Sequence, residues 1–378
     1  MNRAAALIVA GLLALVSLWL QREHVRGTFD PFERAFLSWL AANVVGSKPI
    51  PPMTLVLYDD EASELAGTKR LGLLDAALFA RAASRLGATA AGIEGIREDP
   101  SRMIEAAGGV PVFGGYDWRN PPGQGWTPLK GAPVATWEEV PGLAGRVGIF
   151  ARGFVLPPDG ASGVREIRLA GRNGDRAVPS FLALAWTVAH GCSWREVAVK
   201  DGSLVAQSAR LALDARGSAK FLPVGAPAVI SMNELLVAAE KFEREGGDSP
   251  FRAHVMVLAP ATADVSRIAV EGSREVTPAE RWASAWEAMR TNKMFLSPAW
   301  WYPAVVFVAA LVLAFGPSRR SNRAALVAIV FALLVFALVS LGMFGSSRVL
   351  LPAAPTLLTL LIASIFGRVV YRAGWSGS

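Results

Sequence analysis

Three long apolar runs close the chain: Ala299–Gly316, Ala324–Phe344 and Val349–Val370, separated only by Pro317–Arg323 and Gly345–Arg348. Each is close to the ~20 residues that carry a helix across a hydrocarbon core. The only charge inside them is Arg368. A soluble core helix of that length shows a polar face, and these do not. A fourth run, Ala4–Leu20, follows Arg3 in the order of a signal peptide. No small-residue cleavage site comes after it, because the run ends in Leu18, Trp19, Leu20, Gln21 and Arg22. The expectation is an uncleaved signal anchor rather than a cleaved signal.

Between these runs the pattern changes to that of a folded α/β domain. Phe29, Phe32, Phe36, Leu37 and Leu40 recur at three- and four-residue spacing, which predicts an amphipathic helix near the first run. After the Pro-rich break Ser47–Met53, a strand is expected at Thr54–Asp59, a helix at Leu74–Leu86 and a strand at Ala88–Glu94. A helix at Pro100–Ala107 and a strand at Val110–Phe113 extend a β-α-β-α-β series, the signature of a parallel sheet. Further strands fall at Gly145–Leu156 and Val164–Leu169, and a helix at Phe181–His190 with Ser180 as N-cap. Leu211–Asp214 and Lys220–Val224 flank Ala215–Ala219 like the arms of a hairpin. Ser231 with Glu234 makes a capping box for a helix over Asn233–Phe242. A strand at His254–Ala259 and a helix at Thr277–Arg290 complete the domain. The predicted fold class is a mixed α/β domain with a partly parallel sheet, joined to all-α membrane helices. The divisions are 4–20 (first span), 21–297 (domain), 298–371 (three-span bundle) and 372–378 (tail).

Charge placement gives this chain a sidedness. Of 378 residues, 52% are hydrophobic and 18% charged, and the formal charge is +7. Arg3, Arg319, Arg320, Arg323, Arg348, Arg368 and Arg372 all flank apolar runs, and without them 31 basic residues face 31 acidic ones. A neutral body carries no footprint for a phosphate backbone, so nucleic acid is not an expected partner. Arg319, Arg320 and Arg323 mark an inside loop, and Arg368 and Arg372 put the C-terminus on the same side. The domain then lies outside the cytoplasm, with Trp300, Trp301 and Tyr302 anchoring the outer interface. Ala324, Ala328 and Ala332 form a small-residue stripe, suited to close helix packing or to self-association as a homo-oligomer.

Chemistry is sparse. Phosphate-binding loops, dinucleotide fingerprints, His-Glu-x-x-His and Gly-x-Ser-x-Gly are all absent from the sequence. His24, His190 and His254 are far apart in sequence and Cys192 is alone, so no catalytic set, metal site or cofactor is expected. Asp59 and Asp60 fall where the first strand ends, and Glu94 at the end of the next. In a parallel sheet ligands bind at that end, which makes these acids candidate ligand contacts; helix capping is the alternative. Trp118, Trp126 and Trp137 lie in the Gly/Pro-rich stretch Gly114–Leu143, either as a partner-binding surface or as rings packing a long loop.

The order of parts resembles the CHASE2 family of extracytoplasmic sensor domains. The resemblance rests on the span followed by Phe29–Leu40, on Leu55-Val56-Leu57-Tyr58-Asp59-Asp60 and on Ala83–Gly95 with Leu86-Gly87-Ala88. It also rests on Asp159-Gly160 with Gly163-Val164-Arg165, and on Val178-Pro179-Ser180-Phe181-Leu182-Ala183-Leu184-Ala185. His254–Ala259 leading to Asp264, and three closing spans with Leu350-Leu351-Pro352-Ala353-Ala354-Pro355, complete it. It implies a bacterial inner-membrane sensor, with Asp264 added to the candidate ligand contacts. Family members usually continue into a cyclase or a kinase. Here only Tyr371–Ser378 follow the last run, so the expected partner is a separate cytoplasmic effector. A non-enzymatic adaptor that scaffolds envelope proteins is the alternative; an enzyme is not expected.

Overall fold

The computed structural model describes residues 3–44, 50–66, 71–95, 105, 107–117, 126, 128–133, 135–137, 151–155, 164–207, 209–223, 227–261, 269–271, 274–276, 278–316 and 322–372. In chain order the helices are α1 (Arg3–Val25), α2 (Asp30–Asn43), α3 (Asp60–Ala66), α4 (Leu73–Arg85), α5 (Phe181–Ala189), α6 (Met232–Glu245), α7 (Pro278–Arg290), α8 (Tyr302–Phe315), α9 (Asn322–Ser347) and α10 (Ala353–Arg372). They fall into two compact units. A helical unit takes both ends of the chain, 1–45 and 295–378, and an α/β unit takes 46–160 and 165–294.

The α/β unit is built on a six-stranded sheet. Its strands are β1 (Met53–Tyr58), β2 (Ala90–Glu94), β3 (Val112–Asp117), β4 (Ala151–Val155), Ala228–Ser231 and Val255–Pro260. From edge to edge the order is Ala228–Ser231, β1, Val255–Pro260, β2, β3, β4, and every neighbouring pair is parallel. The expected parallel sheet is therefore present, with the late strand Val255–Pro260 inserted between β1 and β2. Strand period two sorts the side chains into two cores. Val56, Tyr58, Ala91, Ile93, Met256 and Leu258 pack against α4 and α6, with Phe79 and Leu235 in the same cluster. Leu55, Ala90, Phe113, Val255 and Val257 pack on the opposite face, with Phe181 of α5 and Trp282 and Trp286 of α7. Both faces are covered, as a buried parallel sheet requires.

Local signals decide where the helices begin. Ser180 Oγ accepts the Ala183 N–H at 3.1 Å and starts α5. Ser231 and Glu234 make the predicted capping box of α6, with the Ser231 N–H donating to Glu234 Oε2 at 2.7 Å. The expected hairpin about Ala215–Ala219 does not form. Ala209–Ala212 pairs with Ser203–Ala206, while Ser218–Phe221 pairs antiparallel with Arg165–Arg168. Asp214 closes a tight turn between them, because its Oδ1 accepts the N–H groups of both Arg216 and Ser218 and its own N–H donates to the Ser218 carbonyl.

In the helical unit, Val9 and Leu13 of α1 share a cluster with Ala310, Leu313 and Ala314 of α8 and with Leu360 and Ala363 of α10. Ala328 and Ala332 of the small-residue stripe pack against that cluster. Among the described residues, two helices are long and apolar enough to cross a membrane, Leu7–Val25 and Asn322–Ser347. The apolar helices α8 and α10 begin later than the sequence runs that overlap them, at Tyr302 and Ala353. Proline sets the difference: Pro303 opens α8 only after Trp301, and Pro352 immediately precedes α10.

Candidate functional site

The parallel register brings the predicted acids to one end of the sheet. Asp59 follows β1, Asp60 opens α3 and Glu94 ends β2. The strand Val255–Pro260 stands between β1 and β2, so two inter-strand steps, about 10 Å, separate their ends. Asp59 serves the fold locally, because its Oδ1 accepts the Ala62 N–H at 3.0 Å and caps α3. No group of three or more His, Cys, Asp or Glu able to hold a metal occurs among the described residues. Asp264 lies outside those residues.

The aromatic stretch is divided in the same way. Trp118 lies outside the described residues. Trp126 is buried and meets the rings of Tyr116 and Phe154 edge-on, with centroids 6.4 and 6.5 Å away. Trp137 is 1% exposed and belongs to the core beside α5 and α7. These two rings are packing anchors rather than parts of an open face. Each of two histidines also has a local neighbour. His190 Nδ1 lies 2.8 Å from the Trp186 carbonyl, and His254 Nδ1 lies 2.8 Å from Thr54 Oγ1. Burial lowers the His254 pKa below its ordinary value.

A polar arrangement in the helical unit centres on a residue that no sequence motif singles out. Glu33 of α2 is 2% exposed. Its Oε1 accepts the Ala354 N–H at 2.9 Å and its Oε2 the Ala353 N–H at 3.2 Å. These are the first two N–H groups of α10, which no carbonyl within that helix can satisfy. One carboxylate thus caps a helix 320 residues further along the chain. His24 Nδ1 of α1 stands 3.7 Å from Glu33 Oε1. Tyr302 of α8 shares a hydrogen bond of 3.0 Å with Thr356 of α10. Burial pushes the Glu33 carboxyl above its ordinary pKa, the Ala354 and Ala353 donors pull it down, and Asp30 adds to the rise. Periodicity is the one sequence signal that points to it. Glu33 sits one turn before Leu37, on the stripe that continues to Leu40, and both leucines are buried.

A cavity of about 340 Å³ adjoins this cap, lined by Phe29, Phe32, Leu333, Ala354, Leu357 and Leu361 among others. Its size falls within the range of ligand pockets. Trp300 and Trp301, just before α8, are 91% and 52% exposed, whereas Tyr302 is half-buried. Arg319 and Arg320 lie outside the described residues; Arg323 is in the first turn of α9.

Comparison of the chain with protein-family models, with curated proteins and with solved structures gives no match. The class is accordingly set by architecture: an α/β unit with a six-stranded parallel sheet, inserted into a helical unit that carries, among the described residues, two helices long and apolar enough to cross a membrane.

Proposed function

We propose that the protein is a multi-pass sensor of the bacterial inner membrane, of the CHASE2 type, with its α/β unit outside the cytoplasm. A ligand or partner detected there would alter the helical unit, which passes the change to a separate cytoplasmic effector. One observation carries the proposal: the helical unit is assembled from both ends of the chain, with the α/β unit inserted between them. A change in the inserted unit reaches the helices through two covalent links, near Gly46 and Phe295, rather than through a single tether.

The surface of α9 supports the membrane part. Leu326, Val330, Phe331, Leu334 and Leu338 are all more than half exposed. In water a contiguous apolar face of this kind is an association liability; in a bilayer it is the face turned to solvent. The exposed Trp300 and Trp301 suit an outer interface, and Arg323 and Arg368 suit the inner one.

Reporter fusions after Leu143 and after Ser378 test the topology. The expected signals are outside at Leu143 and inside at Ser378, and an inside signal at Leu143 overturns the orientation. Crosslinking in native membranes followed by purification tests the function. A co-purifying kinase or cyclase supports the sensor. A stoichiometric set of envelope proteins without one replaces it with the adaptor.

A further inference from the structure

We propose that the helical unit binds one acyl chain of a membrane phospholipid, in the apolar cavity between α2, α8, α9 and α10. The inference rests on the membrane placement in the proposed function and adds a ligand to it.

The chemistry and depth of the cavity carry the inference. Every lining residue is Phe, Leu, Ile or Ala. At the end nearest Glu33, the N–H of the lining residue Ala354 is already taken by that carboxylate. Leu313, Ala354 and Leu360 form a buried floor, at 6–9% exposure, whereas Phe32, Leu333 and Leu361 form a rim at 42–48%. The cavity is therefore a slot open along one side. On α9 the rim continues into Val330 and Leu334, both more than half exposed, so the mouth opens where the proposed function places hydrocarbon.

Shape narrows the occupant further. Ala354, Leu357, Leu358 and Leu361 recur at helical spacing along one face of α10, and Ile329, Ala332 and Leu333 do so on α9. From Ala354 to Leu361 the slot runs about 10 Å along α10, at 1.5 Å per residue. One leaflet of hydrocarbon is about 15 Å deep. The Ala354 end lies one turn or less from the Tyr302–Thr356 hydrogen bond, and Tyr302 directly follows the exposed Trp300 and Trp301. Such rings sit at the membrane–water interface, so the slot descends from an interface towards the bilayer centre, as an acyl chain does. Water entering it finds no hydrogen-bond partner, and an empty slot forfeits contacts for its walls. Apolar cavities of about 150 Å³ already take up small hydrocarbons, and this one has about 340 Å³. With a lining of hydrocarbon side chains alone, recognition is of the chain and not of the headgroup.

Native mass spectrometry tests this on the full chain, released from mild detergent after incubation with palmitoyl-oleoyl phosphatidylglycerol or phosphatidylethanolamine. One lipid per chain is expected to remain bound, with either headgroup. Ala332→Phe in the slot wall and Leu333→Phe at its rim should each weaken retention about tenfold. Leu338→Phe, exposed on α9 and outside the slot, should leave it unchanged. Thermal unfolding separates filling from misfolding. Added lipid should raise the wild-type midpoint, and Ala332→Phe should keep a cooperative transition that lipid no longer raises. Leu333→Phe, at a half-exposed position, carries the comparison if Ala332→Phe does not fold. Wild-type retention in both slot variants overturns the site, as does an equal loss in Leu338→Phe. So does a bound mass of detergent only, or retention of one headgroup and not the other. Reporter fusions and crosslinking do not depend on lipid retention, so failure of the slot and failure of the sensor reading are distinguishable.

Discussion

Position 33 shows how one side chain can join distant parts of a sequence. Ala353 and Ala354 cannot satisfy their own N–H groups at the start of α10, and Glu33 accepts both. Glu33→Ala should leave two buried donors unpaired, at a cost of about 1–3 kcal/mol for each. Glu33→Gln keeps one acceptor and removes the buried charge, so its loss should be clearly smaller. Thermal unfolding of both variants in one detergent checks the ranking, and equal losses would assign the effect to packing. The pH dependence follows from the sign of the shift. A carboxyl whose folded pKa is raised leaves the folded state holding more protons than the unfolded chain between the two values. Its contribution to stability is then full at low pH and declines as pH rises through the raised value. Unfolding midpoints of the wild type should fall across that window, and Glu33→Gln should flatten the fall.

Sequence made some elements legible and hid others, for a physical reason that can be seen strand by strand. β1 and the parallel sheet were legible because both depend on local apolar runs and their spacing. The insertion of Val255–Pro260 between β1 and β2 was not, because pairing order depends on contacts about 200 residues apart, such as Leu55 with Val257. Ser180 and the Ser231–Glu234 box were legible because a cap acts within one turn. The close approach of α5 to the sheet was hidden. A Cβ at Gly153 would stand 2.6 Å from the Phe181 backbone nitrogen, and one at Gly115 would stand 2.8 Å from the Phe181 ring. Phe181 in turn meets Phe113 at 5.0 Å and Trp282 edge-on at 5.4 Å, which leaves the ring little room to yield. Gly153→Ala should therefore cost more than Gly115→Ala, since backbone opposes the first and mainly side chains oppose the second. Overpacking of this kind costs about 1–3 kcal/mol, and the backbone clash puts Gly153→Ala at the upper end. Chemical denaturation with a two-state fit measures both, and the reverse order would mean that α5 shifts as a body.

At the scale of the whole molecule, the first helix decides between a secretion signal and a working part. A signal peptide leaves after export, and nothing in the mature fold then depends on it. Here Val9 is 3% exposed and Leu13 fully buried, in the same cluster as Ala310, Ala314 and Ala363. Those alanines let helices approach closely, and losing α1 would open the small-residue wall that they form. Sequence showed the missing cleavage site but not this packing, because the partner residues lie some three hundred positions away. Together with α2 it makes up the N-terminal side of the helical unit, from which the chain enters the inserted α/β unit. The intact mass of protein purified from membranes should therefore include residues 1–20. Leu13→Ala should lower the unfolding midpoint of the helical unit, at about 2–5 kcal/mol for a buried leucine in a close-packed core. A mature mass lacking those residues would remove α1 from the bundle and leave the N-terminal side of the helical unit to α2 alone.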